Sequence, residues 1–345
     1  MLLRLILYTC MLACSSSVAF AQSALPDSIV TSKDVKKAKM QVNGMGSDTS
    51  ASNTTFVYKK PRPFDFLTRL PKDAAGIATA PFHRKAIKPL IYITASTILL
   101  MMADESINRG LHNFSADIHW HTEEDYRDVI TLKGGKSGIS LLKFPKNLNT
   151  AFYQIGQGFP SLMIGAGLFV YGKIHHNVRA ISTASQLAES FILMGAGTQI
   201  LKRITGRQSP SEVPVELDAT WHFFPSFSQF QSHTPNYDAF PSGHLATLMS
   251  TVTVLCENYP EKKWIKPVGY GITGMVGLAM INNNVHWASD YPLAIALGYL
   301  CAKQVAKSSR HLVKKNDVVF KKKTSLSYTC HYIGGKLQPG LLYKF

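Results

Sequence analysis

Two short stretches, Pro241-Ser242-Gly243-His244 and His286-Trp287-Ala288-Ser289-Asp290, each set a histidine beside an apolar run. In the second, a carboxylate follows four residues on, about one helical turn away. Two imidazoles can divide a displacement between a nucleophile and a proton donor. An acid beside one ring nitrogen fixes the tautomer and leaves the other nitrogen free to attack. A His–Asp pair taken alone is as easily a structural contact.

Phosphate chemistry also needs something to hold the anion. Leu201-Lys202-Arg203-Ile204-Thr205-Gly206-Arg207-Gln208-Ser209-Pro210 closes an apolar segment with three cations, then glycine and proline. Such a cluster can bind an anion, but cations at a helix C-terminus also suit the helix dipole. Pro241 and Ser242 are ordinary helix-start residues. Gly243 leaves the backbone N–H groups open, and a helix N-terminus of that kind is a ready phosphate site with His244 beside it.

In order and spacing, the three pieces together resemble the type-2 phosphatidic-acid phosphatase superfamily, shared with bacterial class A acid phosphatases and vanadium haloperoxidases. Lys202 and Pro210 match the first block, Pro241 to His244 the second, and His286 with Asp290 the third. The resemblance covers about residues 155–306. It implies attack on phosphorus by His286, oriented by Asp290, with His244 protonating the leaving oxygen. Lys202, Ser242 and the backbone at Gly243 would hold the phosphate oxygens, with no metal and no cofactor. Two departures stand out. Ser209 and Met280 occupy positions where the family carries arginines. Each lost charge-assisted contact removes roughly 1.5–3 kcal/mol from anion binding. Arg207 is close enough in sequence to substitute and is taken as a substrate-binding residue, with Arg203 as a further possibility. The resemblance implies a phosphomonoesterase or pyrophosphatase of the cell envelope acting on a small phosphorylated molecule or a lipid. The alternatives are a relative that has kept the bundle and lost turnover, or a vanadate-dependent haloperoxidase.

The chain around these residues has 345 residues and a formal net charge of +16. No nucleic-acid motif accompanies the basic excess, which points to an anionic membrane surface or anionic substrates. Six apolar segments of helical character, near 86–104, 155–173, 181–201, 243–258, 264–282 and 290–306, predict an all-α helical bundle. The polar stretch between the first two is long enough to need a helix or hairpin of its own. Residues 1–21 read as a secretory signal peptide ending at Ala19-Phe20-Ala21. Residues 22–63 read as a disordered linker, 64–310 as the helical domain and 311–345 as a basic tail with a possible hairpin. A membrane span needs about 20 apolar residues, and several segments fall short. Loop charges favour one orientation of six spans and the signal peptide the opposite one. A bundle exported whole and resting on a membrane, and a bundle crossing it, both stay open. His119-Trp120-His121 with Glu123, Glu124 and Asp125 lacks a third histidine at metal-binding spacing and reads as a solvated cluster.

Overall fold

The computed structural model describes residues 54–58, 60–122, 125–132, 139–213, 220–314, 325–333 and 336–344. The expected signal peptide and most of the expected linker lie outside them. Two units are distinct: one spans Tyr58–His311, and the other takes in residues 54–57 and the described residues from 312 onward.

The first unit is a helical bundle. Its principal helices are α1 (Leu70–Thr79), α2 (Ile87–Met101), α3 (Asp104–Asp117), α4 (Leu148–Gly156), α5 (Phe159–Ile174), α6 (Val178–Thr205), α7 (Gly243–Asn258), α8 (Ile265–Asn282) and α9 (Tyr291–Ser309). Helices α2 and α5 to α9 stand where the six apolar segments were read. The polar stretch after α2 folds as α3, an antiparallel ribbon of β2 (Tyr126–Leu132) and β3 (Ile139–Pro145), and α4.

Beyond the helices, the remaining described strands form two-stranded ribbons. In one, β1 (Thr54–Tyr58) pairs with β4 (Arg310–Lys314). In the other, β5 (Ser325–Ile333) pairs antiparallel with β6 (Lys336–Lys344), from Ser325↔Lys344 to Ile333↔Lys336. Residues 54–58 therefore depart from the expected disordered linker. Thr54-Thr55-Phe56-Val57-Tyr58 is β-branched and aromatic throughout, the composition that suits a strand.

Helix α7 explains why its apolar run is short. Every residue from Leu245 to Val254 is buried, so this is a core helix wrapped by neighbours on all sides. Against it lies α9, also buried along most of its length. The two backbones approach at Gly298, where an added Cβ would sit 2.2 Å from the Ala246 carbonyl oxygen. The outer helices behave differently. Helix α5 buries only Ser161 and Gly172, and α2 only Pro89. Their leucines, isoleucines and aromatics, including Ile91, Leu99, Leu162, Met163, Phe169 and Val170, are exposed. No single helix among the described residues is long and apolar enough to cross a membrane, although Arg84–Met101 and Asp104–Asp117 pass that test as a pair bent by 63°.

The α7–α9 contact sets the distance between the two helices that flank the chemistry. Gly298→Val should lower unfolding stability by about 3 kcal/mol, because backbone on the opposite helix cannot yield as a side chain would. Denaturant unfolding of the two proteins checks this.

Candidate active site

Three parts of the chain deliver the predicted residues to one end of the bundle. Helix α6 brings Lys202 in its last turn and stops at Gly206, whose backbone is left-handed (φ 51°). Only glycine fits there: a Cβ would fall 2.0 Å from the His222 carbonyl oxygen. The helix therefore ends cleanly, with Gly206 N–H bonded to the Lys202 carbonyl at 2.8 Å. Helix α7 opens on Ser242, which caps it by accepting from Leu245 N–H. Lys202 Nζ lies 4.0 Å from where a side chain on Gly243 would begin, so the ammonium sits beside this helix N-terminus.

The loop from α8 to α9 carries His286. Val285 N–H bonds the Met280 carbonyl, and Asn284 turns the chain with φ 55°. The run Asn282-Asn283-Asn284 fastens the loop to three neighbours. Asn282 donates to the His121 carbonyl at 3.0 Å, Asn149 donates to Asn283, and Asn108 donates to Asn284 at 3.2 Å.

These elements bring the two histidines together. His244 Nδ1 is 3.3 Å from His286 Nε2, with the rings at 70°. His286 Nδ1 faces Asp290 Oδ2 at 3.5 Å, a charge contact longer than a hydrogen bond. With a proton on Nδ1 toward Asp290, the His286 Nε2 lone pair faces His244. In the same tautomer, His244 Nδ1–H donates to it.

The profile of the PAP2 superfamily matches residues 183–313, a span holding all three motif blocks. Over these residues the chain is similar to the PAP2 superfamily. A lipid A 1-phosphatase of Porphyromonas gingivalis is 33% identical over 76 residues, 22% of this chain. That match spans only 17% of the relative's length. The crystal structure of a transmembrane PAP2 type phosphatidylglycerolphosphate phosphatase from Bacillus subtilis aligns with 71% of this chain and 96% of its own, at 17% identity and a TM-score of 0.36.

Neither replaced PAP2 arginine position offers a cation. Ser209 is buried with its N–H on the Pro235 carbonyl, and Met280 is wholly buried in the hydrophobic core. Arg207, expected to grip phosphate, is committed elsewhere. Its Nη1 donates to Asp290 Oδ1 at 2.5 Å and to Ser289 Oγ at 2.6 Å, and its Nη2 to Asp104 Oδ2 at 2.7 Å. The guanidinium is buried, with the Trp221 and Trp287 rings 5.0 and 5.6 Å away. The reason is electrostatic: two buried carboxylates leave it no freedom to turn to a ligand. Arg203 donates to Gln199 and lies over the Phe230 ring at 4.4 Å, so it also points to other partners. At the other candidate cluster, Asp125 pairs with Lys146, and Glu123 and Glu124 lie outside the described residues.

Two acids escaped the sequence reading. Asp104 opens α3 and holds both Arg207 and the Ser289 N–H. Asp238 Oδ2 sits 3.3 Å from Lys202 Nζ. Neither falls in a motif block. Asp104 is distant in sequence from all of them, and Asp238 could only have been suspected from its place three residues before Pro241.

Burial, reinforced by the Lys202 ammonium, pushes the His286 imidazolium down to about 3. Burial, then His286 and Lys202, holds His244 well below the ordinary histidine range. Burial pushes Asp290 up to about 6 against the pull of Arg207. Both histidines are thus neutral and Asp290 is ionised near pH 7. For His286, the folded value lies below the unfolded value near 6.5. Its contribution to stability is full above that pH and is lost as pH falls toward 3. Asp290 acts oppositely, since its raised value lets the folded state take up a proton first between about 6 and 3.8. His286→Gln removes the first effect alone. The wild type should lose about 1 kcal/mol more per pH unit than this variant as pH falls below 6.5. Unfolding curves at a series of pH values measure the difference.

Proposed function

We propose that this chain is a phosphohydrolase that cleaves a phosphomonoester or pyrophosphate of a lipid at the cell envelope, through a phosphohistidine on His286. The observation that carries the reading is the convergence of His286 Nε2, His244 Nδ1, Lys202 and the open N-terminus of α7. Phosphate oxygens would rest on Lys202, Ser242 and the Gly243 backbone, where a helix N-terminus and an ammonium favour negative charge. His286 Nε2 attacks phosphorus and the P–O bond to the leaving group breaks. His244, protonated when the anionic phosphate enters beside it, gives that oxygen a proton and becomes neutral imidazole. Water then attacks the phosphohistidine, with His244 as base, and returns the enzyme with inorganic phosphate.

The lipid part of the reading rests on apolar surface. Helices α2 and α5 leave most of their large apolar side chains exposed, among them Ile91, Leu99, Leu162, Met163 and Phe169, and exposed apolar surface of this kind suits a lipid. A cavity of about 650 Å³ lies between α5 and α6, roofed by the 60–66 segment and reaching Thr247. Thr247 donates to the Gly243 carbonyl at 2.8 Å, so the cavity ends one turn from the phosphate position. The turn between α4 and α5 passes close by, with Gly156 against the His244 and Val276 side chains and Gly158 against Phe191 and Thr247. An acyl chain attached to a phosphate at α7 fits this cavity.

A second reading is a PAP2 relative with weakened or lost turnover. Ser209, Met280 and the engagement of Arg207 favour it, because Lys202 is the one motif cation left to face the phosphate position.

Hydrolysis of phosphatidic acid, an isoprenyl pyrophosphate and an aryl phosphate by the full chain in detergent decides between them. Activity should fall about 1,000-fold or more in His286→Ala and about 100-fold in Lys202→Ala. Gly165→Trp, placed where a Cβ meets only Leu187 at 3.8 Å, should fill the cavity. The ratio of kcat/KM for a long-chain lipid over the aryl phosphate should then fall about tenfold. Wild-type turnover that His286→Ala does not reduce would sink the mechanism. No turnover of any of the three by the wild type would favour the second reading.

A further inference from the structure

The pocket that would hold phosphate contains a carboxylate that phosphate binding does not call for. Asp238 Oδ2 is 3.3 Å from Lys202 Nζ, and the Asp238 side chain is 31% exposed against 8% for Lys202. The carboxylate is therefore the solvent-facing partner of the pair. Its backbone is fixed: Arg207 and Asp238 form a β-bridge, and Ala239 N–H bonds the Arg207 carbonyl at 3.0 Å. Asp238 cannot leave without disturbing the turn that carries Arg207.

The charges that face this pocket come from four places. Lys202 comes from α6, Asp238 from the loop before α7, His244 from α7 and His286 from the loop after α8. Behind them the single guanidinium of Arg207 faces two carboxylates, Asp290 and Asp104. With both imidazoles neutral, Lys202 and Asp238 cancel, and the cage presents no excess positive charge. A PAP2 site with its arginines in place would present a strongly cationic cage to the same ligand. A dianionic phosphate approaching this one meets an ammonium already paired and a carboxylate within a few ångströms of its own oxygens. A monoanionic phosphate meets half of that repulsion and has a hydroxyl that can donate to the carboxylate.

We propose that Asp238 is the specificity residue of this cage, holding Lys202 while the site is empty and restricting it to phosphoryl groups that carry a single negative charge. This rests on the reading of Lys202, Ser242 and α7 as the phosphate cage. It narrows the substrate class to phosphomonoesters presented below their second ionisation, which lies near pH 6. Asp238 acts in two ways in this reading, by holding Lys202 and by its own contact with the phosphoryl group.

The test is binding of inorganic phosphate to the full chain, by calorimetry, at pH about 5.5, where phosphate is a monoanion, and about 8, where it is a dianion. Wild-type affinity should fall about tenfold between the two. Asp238→Asn should bind phosphate at the higher pH about five to ten times more tightly than the wild type and lose most of the pH dependence, the scale expected for one unit charge removed at about 4 Å in a wet site. Asp238→Glu, which keeps the charge, should behave as the wild type. Asp238→Ser serves in place of Asp238→Asn if the latter fails to fold. The proposal is overturned if the neutral variants bind no more tightly at the higher pH, or if the wild type holds the dianion as well as the monoanion. Turnover is read separately. Tighter phosphate binding without catalysis would remove the hydrolase reading and leave Asp238 its role. Catalysis with an unchanged phosphate affinity in Asp238→Asn would do the reverse.

Discussion

The guanidinium of Arg207, buried with the carboxylates of Asp104 and Asp290, is the interaction on which the site is built. It joins three parts of the chain that share no local structure: the turn ending α6, the first residue of α3 and the short turn before α9. Asp290 also accepts from the Trp287 N–H at 2.8 Å, and Asp104 from the Ser289 N–H at 3.0 Å, so the clamp fixes the loop as well as the charges. A buried ion pair of this kind is weak evidence for stability in itself, because desolvation offsets much of the attraction. Its effect here is on geometry. Asp290 is held where it can face His286 Nδ1, and His286 is held where Nε2 meets His244.

That arrangement bears on an apparent contradiction between the sequence and the PAP2 pattern. The two histidines and the aspartate of the proposed proton-transfer set are present, while the proposed anion-binding set is thin. Arg207 could make up the deficit in principle, since it is one turn from the site along the chain. The clamp removes it from that role, because turning it outward would strand two buried carboxylates. What remains beside the phosphate position is one ammonium, a capped helix N-terminus and Asp238. The resulting site has no excess positive charge when empty, and burial keeps its two histidines neutral at physiological pH.

Much of the architecture was legible in advance. The apolar segments at 86–104, 155–173, 181–201, 243–258, 264–282 and 290–306 correspond closely to α2, α5, α6, α7, α8 and α9, because burial and helical periodicity leave a clear trace in sequence. The Ser242 cap and the His286–Asp290 spacing were legible for the same reason: each is a local pattern. Residues whose role depends on distant partners were not. Asp104 reads as an ordinary first-turn acid of a helix, and Arg207 as a cation beside two others. Only the fold brings them within 2.7 Å of each other. The ribbon of β2 and β3 was foreseen only as a helix or hairpin, since its strands are short and its pairing is set by tertiary context.

The central claim is that His286 Nε2 forms a covalent bond to phosphorus. Rapid quenching of the full chain during turnover of a radiolabelled lipid phosphate, followed by peptide mapping, tests it directly. An acid-labile, base-stable phosphate should appear on His286, disappear in His286→Ala and accumulate when hydrolysis of the P–N bond by water is slowed at low temperature. Turnover with no protein-bound phosphate, or with the label on a residue other than His286, would contradict it.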